Sequence, residues 1–123
     1  MGTTTSKTAI RGIDASVYLV KDLGRAKAFW REVMELQPTA DTESYAEYDL
    51  GDGTTFGLFK MPDGSWSKCD GILFSVADAR EAASYFGARG AKISDNIFDG
   101  PACIMAFGED SEGNAFILHQ RKT

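Results

Sequence analysis

Apolar and polar residues change their period twice along this chain, in the same order each time. Positions 13–20, IDASVYLV, are rich in Val, Ile, Leu and Tyr and read as a strand, and 71–77, GILFSVA, read likewise. Each run stops at an Asp, Asp22 or Asp78, a residue type that caps helix N-termini. Asp78 is followed three positions on by Glu81, the signature of a capping box. The apolar period then lengthens. Ala26, Phe29, Trp30, Val33 and Met34 fall at i, i+3, i+4, i+7 and i+8, one face of a helix, and Ala79, Ala82, Ala83 and Phe86 form a second such stripe. Gly90 stands where a left-handed cap would end that second helix. Period-two alternation returns afterwards. Segments 44–50 and 54–60 flank Gly51-Asp52-Gly53, while 102–108 and 114–120 flank a turn containing Gly113, so two hairpins are predicted. Further strands are expected near 38–42 and 91–95.

A displacement of 56 residues lays Asp14 on Asp70, Val20 on Val76, Asp22 on Asp78, Ala26 on Ala82 and Trp30 on Phe86. A displacement of 60 lays Gly53 on Gly113, Phe56 on Phe116 and Leu58 on Leu118. The chain therefore reads as an internal duplication of a βαβββ unit. The expected organisation is a flexible tail (1–9), a first module (10–61), a linker (62–68) and a second module (69–121) in one compact α+β unit. Each sheet would carry its helix on the outer face and keep an opposite, concave face.

Alternation assigns the faces. Phe56, Leu58, Phe116 and Leu118 repeat identically and are assigned to the helix-packed side, which leaves Thr55, Gly57, Phe59, Ala115, Ile117 and His119 on the concave side. A three-residue turn sets Leu50 opposite Thr54, Tyr48 opposite Phe56 and Ala46 opposite Leu58, and Tyr45, Glu47 and Asp49 then join the concave face. A two-residue turn would instead bury Glu47 and Asp49 against a helix, and unpaired buried carboxylates are costly.

Composition narrows the function classes. The 123 residues are 43% hydrophobic and 25% charged, as in an ordinary globular domain. A formal charge of −5 argues against a nucleic-acid partner, which needs a concentrated basic surface. No apolar run approaches a membrane span, and MGTTTSKTAI lacks the apolar core of a signal peptide. Two cysteines, Cys69 and Cys103, are too few for a disulfide framework, and a reduced cytoplasmic setting is expected.

The stretch IDASVYLVKDLGRAKAFWREVMEL, together with the late EDSEGNAFIL, resembles the vicinal oxygen chelate superfamily, which holds glyoxalases, extradiol dioxygenases and bleomycin-resistance proteins. The likeness spans about residues 10–121. It implies paired βαβββ modules that curl around a shared cavity, and chains that commonly form homodimers. Whether the modules pair within a chain or across a dimer stays open. Metal-dependent members draw ligands from four inward positions, which fall here on Ala15, Gly71, Gly57 and Ile117. None has a side chain that can coordinate a divalent ion, so neither a metal nor another cofactor is expected.

What remains suits a small molecule. Tyr45, Phe59, Trp66, Met105, Phe107 and Ile117 offer aromatic or soft walls for a flat apolar ligand, and Glu47 a carboxylate among them. Glu47 and His119, the only histidine, are candidate acid–base groups, and together a candidate for a displaced metal site. The GEDSEGN turn carries three carboxylates but lacks the EF-hand spacing, and reads as a solvated hairpin. Cys103 reads as a buried small residue. The expected function is metal-free binding of an aromatic or antibiotic-like ligand. The alternative is a lyase, isomerase or dioxygenase-type enzyme using Glu47 and His119, and metal-dependent glyoxalase or dioxygenase chemistry by the usual route is disfavoured.

Overall fold

A computed structural model describes residues 7–8, 13–69 and 71–122. The expected N-terminal tail, residues 7–8 apart, and Asp70 lie outside the described residues. Strand β1 (Ser16–Leu19) leads into helix α1 (Leu23–Glu32), then strands β2 (Ala40–Asp41), β3 (Tyr45–Asp49) and β4 (Thr55–Phe59). The order repeats as β5 (Ile72–Ser75), α2 (Ala79–Ala88), β6 (Lys92–Asp99), β7 (Cys103–Glu109) and β8 (Ala115–Arg121). Each half builds one four-stranded mixed sheet, ordered β1-β4-β3-β2 and β5-β8-β7-β6, with its first strand parallel to its last.

Local chemistry sets the elements. Asp22 and Asp78 cap the two helices, each carboxylate accepting a 3.0 Å hydrogen bond from the amide three residues on, that of Arg25 or Glu81. Gly90 takes φ 115° and turns the chain from α2 towards β6, a conformation that would strain a residue with a Cβ. The first hairpin has the expected register, with Tyr48 opposite Phe56 and Ala46 opposite Leu58. Strand β6 runs longer than expected, to Asp99, with a register shift against β7 between Ile93 and Ile97. The polar Ser94-Asp95-Asn96 gives no alternating signal there, and it is the bulge that lets the strand continue past it.

One aromatic core joins the halves. Trp30 of α1 packs against Phe56 of β4 at 4.7 Å between ring centroids, and against Phe74 of β5 and Phe116 of β8 at 5.5 and 5.9 Å. Phe56 and Phe74 meet edge to face at 5.1 Å. The helix-bearing faces of both sheets thus turn towards one another. Burying each such side chain stabilises the fold by about 1.5–3 kcal/mol. The Tyr18 hydroxyl is inserted at the start of the β5–β8 ladder, donating to the Ala115 carbonyl and accepting from the Ile72 amide. Burial pushes its phenol well above the usual range. At the far end, the Arg89 guanidinium donates to the carbonyls of Glu32 and Val33 and caps the C-terminus of α1. Among the described residues no helix is long and apolar enough to cross a membrane.

Candidate functional site

With the helix faces committed to the core, each sheet keeps one outward face, and strand pairing fixes its rows. On the first sheet Val17, Gly57 and Glu47 lie side by side, with Leu19, Phe59 and Tyr45 in the next row of that face. On the second sheet Leu73, Ile117 and Phe107 form the equivalent row, followed by Ser75, His119, Met105 and Phe98. Tyr45, Phe59, Met105, Phe107, Ile117 and His119 are half-buried and Glu47 is exposed, so this surface is open. Cys103 is likewise half-buried, not enclosed as a small core residue would be. Among the described residues no hydrogen bond or ion pair of the chain holds the Glu47 carboxylate, which stands opposite Gly57.

The sequence candidates therefore fall into two sets. Tyr45, Glu47 and Phe59 share the outward face of the first sheet, and Met105, Phe107, Ile117 and His119 that of the second. Glu47 and His119 thus lie on different sheets. Trp66 belongs to neither set. It lies in the connection between β4 and β5, with the Lys21 ammonium 5.5 Å from its ring centroid, and its buried indole N–H has no acceptor among the described residues.

The four positions that the family resemblance marks for metal ligands have no donor atoms to offer. A Cβ placed on Gly57 would sit 3.5 Å from Val17 and 3.8 Å from Glu47, and one on Gly71 would sit 3.6 Å from Ile117, so both glycines lie at the floor of their faces. Among the described residues no three His, Cys, Asp or Glu side chains gather into a group that could hold an ion. The donor set does not fit a divalent metal.

The GEDSEGN turn corrects an expectation. Two of its three carboxylates are not solvated: Glu109 is exposed, but Asp110 and Glu112 are only 5% and 7% exposed, and Asn114 is fully buried. Arg25 donates twice to Glu112, at 2.6 Å through Nε and 3.0 Å through Nη2, and the Asp22 amide donates at 3.1 Å. Asp110 accepts from the indole N–H of Trp30 at 3.3 Å and from the amides of Glu112 and Asn114. Asn114 accepts from the Cys69 amide at 2.8 Å and donates to the Leu19 carbonyl at 3.2 Å. The turn is a polar clasp that binds the second module to the first. Burial pushes the Asp110 carboxyl up. Burial also acts on Glu112, but the hydrogen bonds from Arg25, Asp22 and Ser111 outweigh it and hold that carboxyl below the usual range. One sequence signal marks the clasp: the displacement of 60 lays Asp110 on Leu50 and Asn114 on Thr54, a break in the repeat where polar residues replace ordinary turn residues.

The sequence matches no protein-family model, and it matches no curated protein. Solved structures do match. TnmS3, an antibiotic-binding protein from Streptomyces sp. CB03234, superposes with a TM-score of 0.79 at 22% identity, over 94% of this chain and 99% of its own. A glyoxalase/bleomycin resistance protein from Catenulispora acidiphila DSM 44928 gives 0.69 at 19% identity, over 85% and 94%. A lactoylglutathione lyase from Agrobacterium tumefaciens gives 0.75 at 18% identity, over 89% and 92%. At these identities it is the fold that is shared. The chain has the paired βαβββ fold of the vicinal oxygen chelate superfamily, the fold of the glyoxalases, bleomycin-resistance proteins and dioxygenases.

Proposed function

We propose that this protein binds a small, largely aromatic organic molecule without a metal, and does so as a homodimer. The outward face of the first sheet of one copy would meet that of the second sheet of the other, which unites Tyr45, Glu47 and Phe59 with Met105, Phe107 and Ile117. One observation carries this reading. Val17 and Leu73 occupy equivalent places on the open edge strands β1 and β5, and they leave 47% and 54% of their surface exposed. Unpaired edges with apolar side chains seek a partner. Joining them in a twofold dimer would wall in both outward faces at once.

Within that cavity the aromatic and thioether groups suit a flat apolar body, and the Glu47 carboxylate suits a hydroxyl or a cation on it. The antibiotic-binding neighbour supports the ligand class. The two free cysteines suit a reducing, cytoplasmic setting. The test is sedimentation of wild type and Leu73→Asp, with thermal melts against glycopeptide and polycyclic aromatic antibiotics. Wild type should sediment as a dimer and melt higher with at least one ligand, and Leu73→Asp should lose both properties while remaining folded. A wild-type monomer that no ligand stabilises would overturn the proposal. Turnover that Glu47→Gln abolishes would place the protein among the lyases, isomerases or dioxygenases instead.

A further inference from the structure

The duplication allows the two junctions between modules to be compared position by position. At one, the turn between β7 and β8 is packed onto β1 and α1 by Asp110, Glu112, Asn114 and Arg25. At the other, the equivalent turn between β3 and β4 carries Leu50, Asp52 and Thr54, and the place of Arg25 on the second helix is taken by Glu81. The cation of the clasp has become an anion. Asp52 and Glu81 are like-charged and cannot form the ion pair that Arg25 makes with Glu112.

The space that the clasp fills at the first junction is open at the second. A cavity of about 520 Å³ lies between the β3–β4 turn and the segment from β5 to α2. Trp30, Phe56 and Phe74 form its floor, Met34 and Phe86 line its helix side, and Leu50 and Asp52 stand at the turn. This volume falls within the usual range of small-molecule pockets, roughly 300–1,000 Å³. Among the described residues, Asp52 is the only charged one on the lining. The Thr54 hydroxyl and amide donate to it, which holds its carboxyl below the usual range, and among the described residues no cation pairs with it.

We propose that this cleft, which borders the outward face of the second sheet at Leu73 and Ser75, is a second ligand site for an organic cation with an apolar aromatic body. The ligand supplies at this junction the positive charge that Arg25 supplies at the other, pairing with Asp52, and its rings rest against Phe74, Phe86 and Met34. The proposal goes beyond the dimeric binding face and does not depend on it.

The two sites carry separate reporters, Met34 in the cleft and Met105 on the outward face. The full chain, labelled with ¹³C at the methionine methyls, is titrated with 2-naphthylmethylammonium, and in parallel with the neutral 2-naphthalenemethanol. The Met34 methyl should shift and saturate with the cation. The neutral alcohol and the Asp52→Asn variant should each bind about fivefold or more weakly, the scale of one partly exposed ion pair. Leu50→Trp, at a partly exposed position, should fill the cleft and abolish the shift while the protein stays folded. A Met34 signal that never moves, movement confined to Met105, or equal affinity for cation and alcohol would each overturn the proposal.

Discussion

Asp110 and Glu112 stand two residues apart in one turn and are pushed in opposite directions. Glu112 is lowered because Arg25, Asp22 and Ser111 all donate to it, so its contribution is complete above the unfolded carboxylate range and is lost as pH falls through its folded value. Asp110 is raised by burial, so its ionisation opposes folding, and that penalty is relieved as pH falls through its own folded value. Glu112→Gln should therefore cost about 1–2 kcal/mol at neutral pH, less than a fully buried pair because the Arg25 side chain is 57% exposed and screened. In urea unfolding the gap to wild type should close as the solution is made acid. A gap independent of pH would mean that packing, and not the charge of Glu112, holds the clasp.

Between elements, close packing decides what a strand may carry. A Cβ on Gly108 of β7 would come within 2.6 Å of the Phe116 ring and 2.9 Å of Ile93, whereas one on Gly57 of β4 meets nothing nearer than 3.4 Å. Gly108→Ala should lose about 1–3 kcal/mol in chemical denaturation by overpacking, and Gly57→Ala should be nearly neutral. Equal costs would show that the second sheet yields where this packing says it cannot. The same scale explains what could be read from sequence. The β3–β4 register was legible because one slip would bury Glu47 and Asp49, so a single arrangement remained. The continuation of β6 through Ser94-Asp95-Asn96 was not, since its support comes from β7 across a bulge. The buried clasp was not legible either. Its carboxylates resemble solvated turn residues until Arg25, 87 positions away, is brought alongside.

At the scale of the whole molecule, sequence alternation sorted the residues of each sheet onto its two faces, because period two needs no knowledge of the partner sheet, but it set cross-strand rows only in the β3–β4 hairpin. It could not show that both faces look away from a shared aromatic core, which rests on Trp30 reaching Phe74 and Phe116 in the other half. In the proposed dimer, joined along β1 and β5, the candidate wall residues of the two sheets would meet. Native mass spectrometry of freshly purified protein, before and after a chelator, tests this most directly. The expected species has twice the 13.4 kDa mass, carries an organic adduct and is unchanged by the chelator. A monomer without adduct, or one divalent ion per chain removed by the chelator, would contradict it.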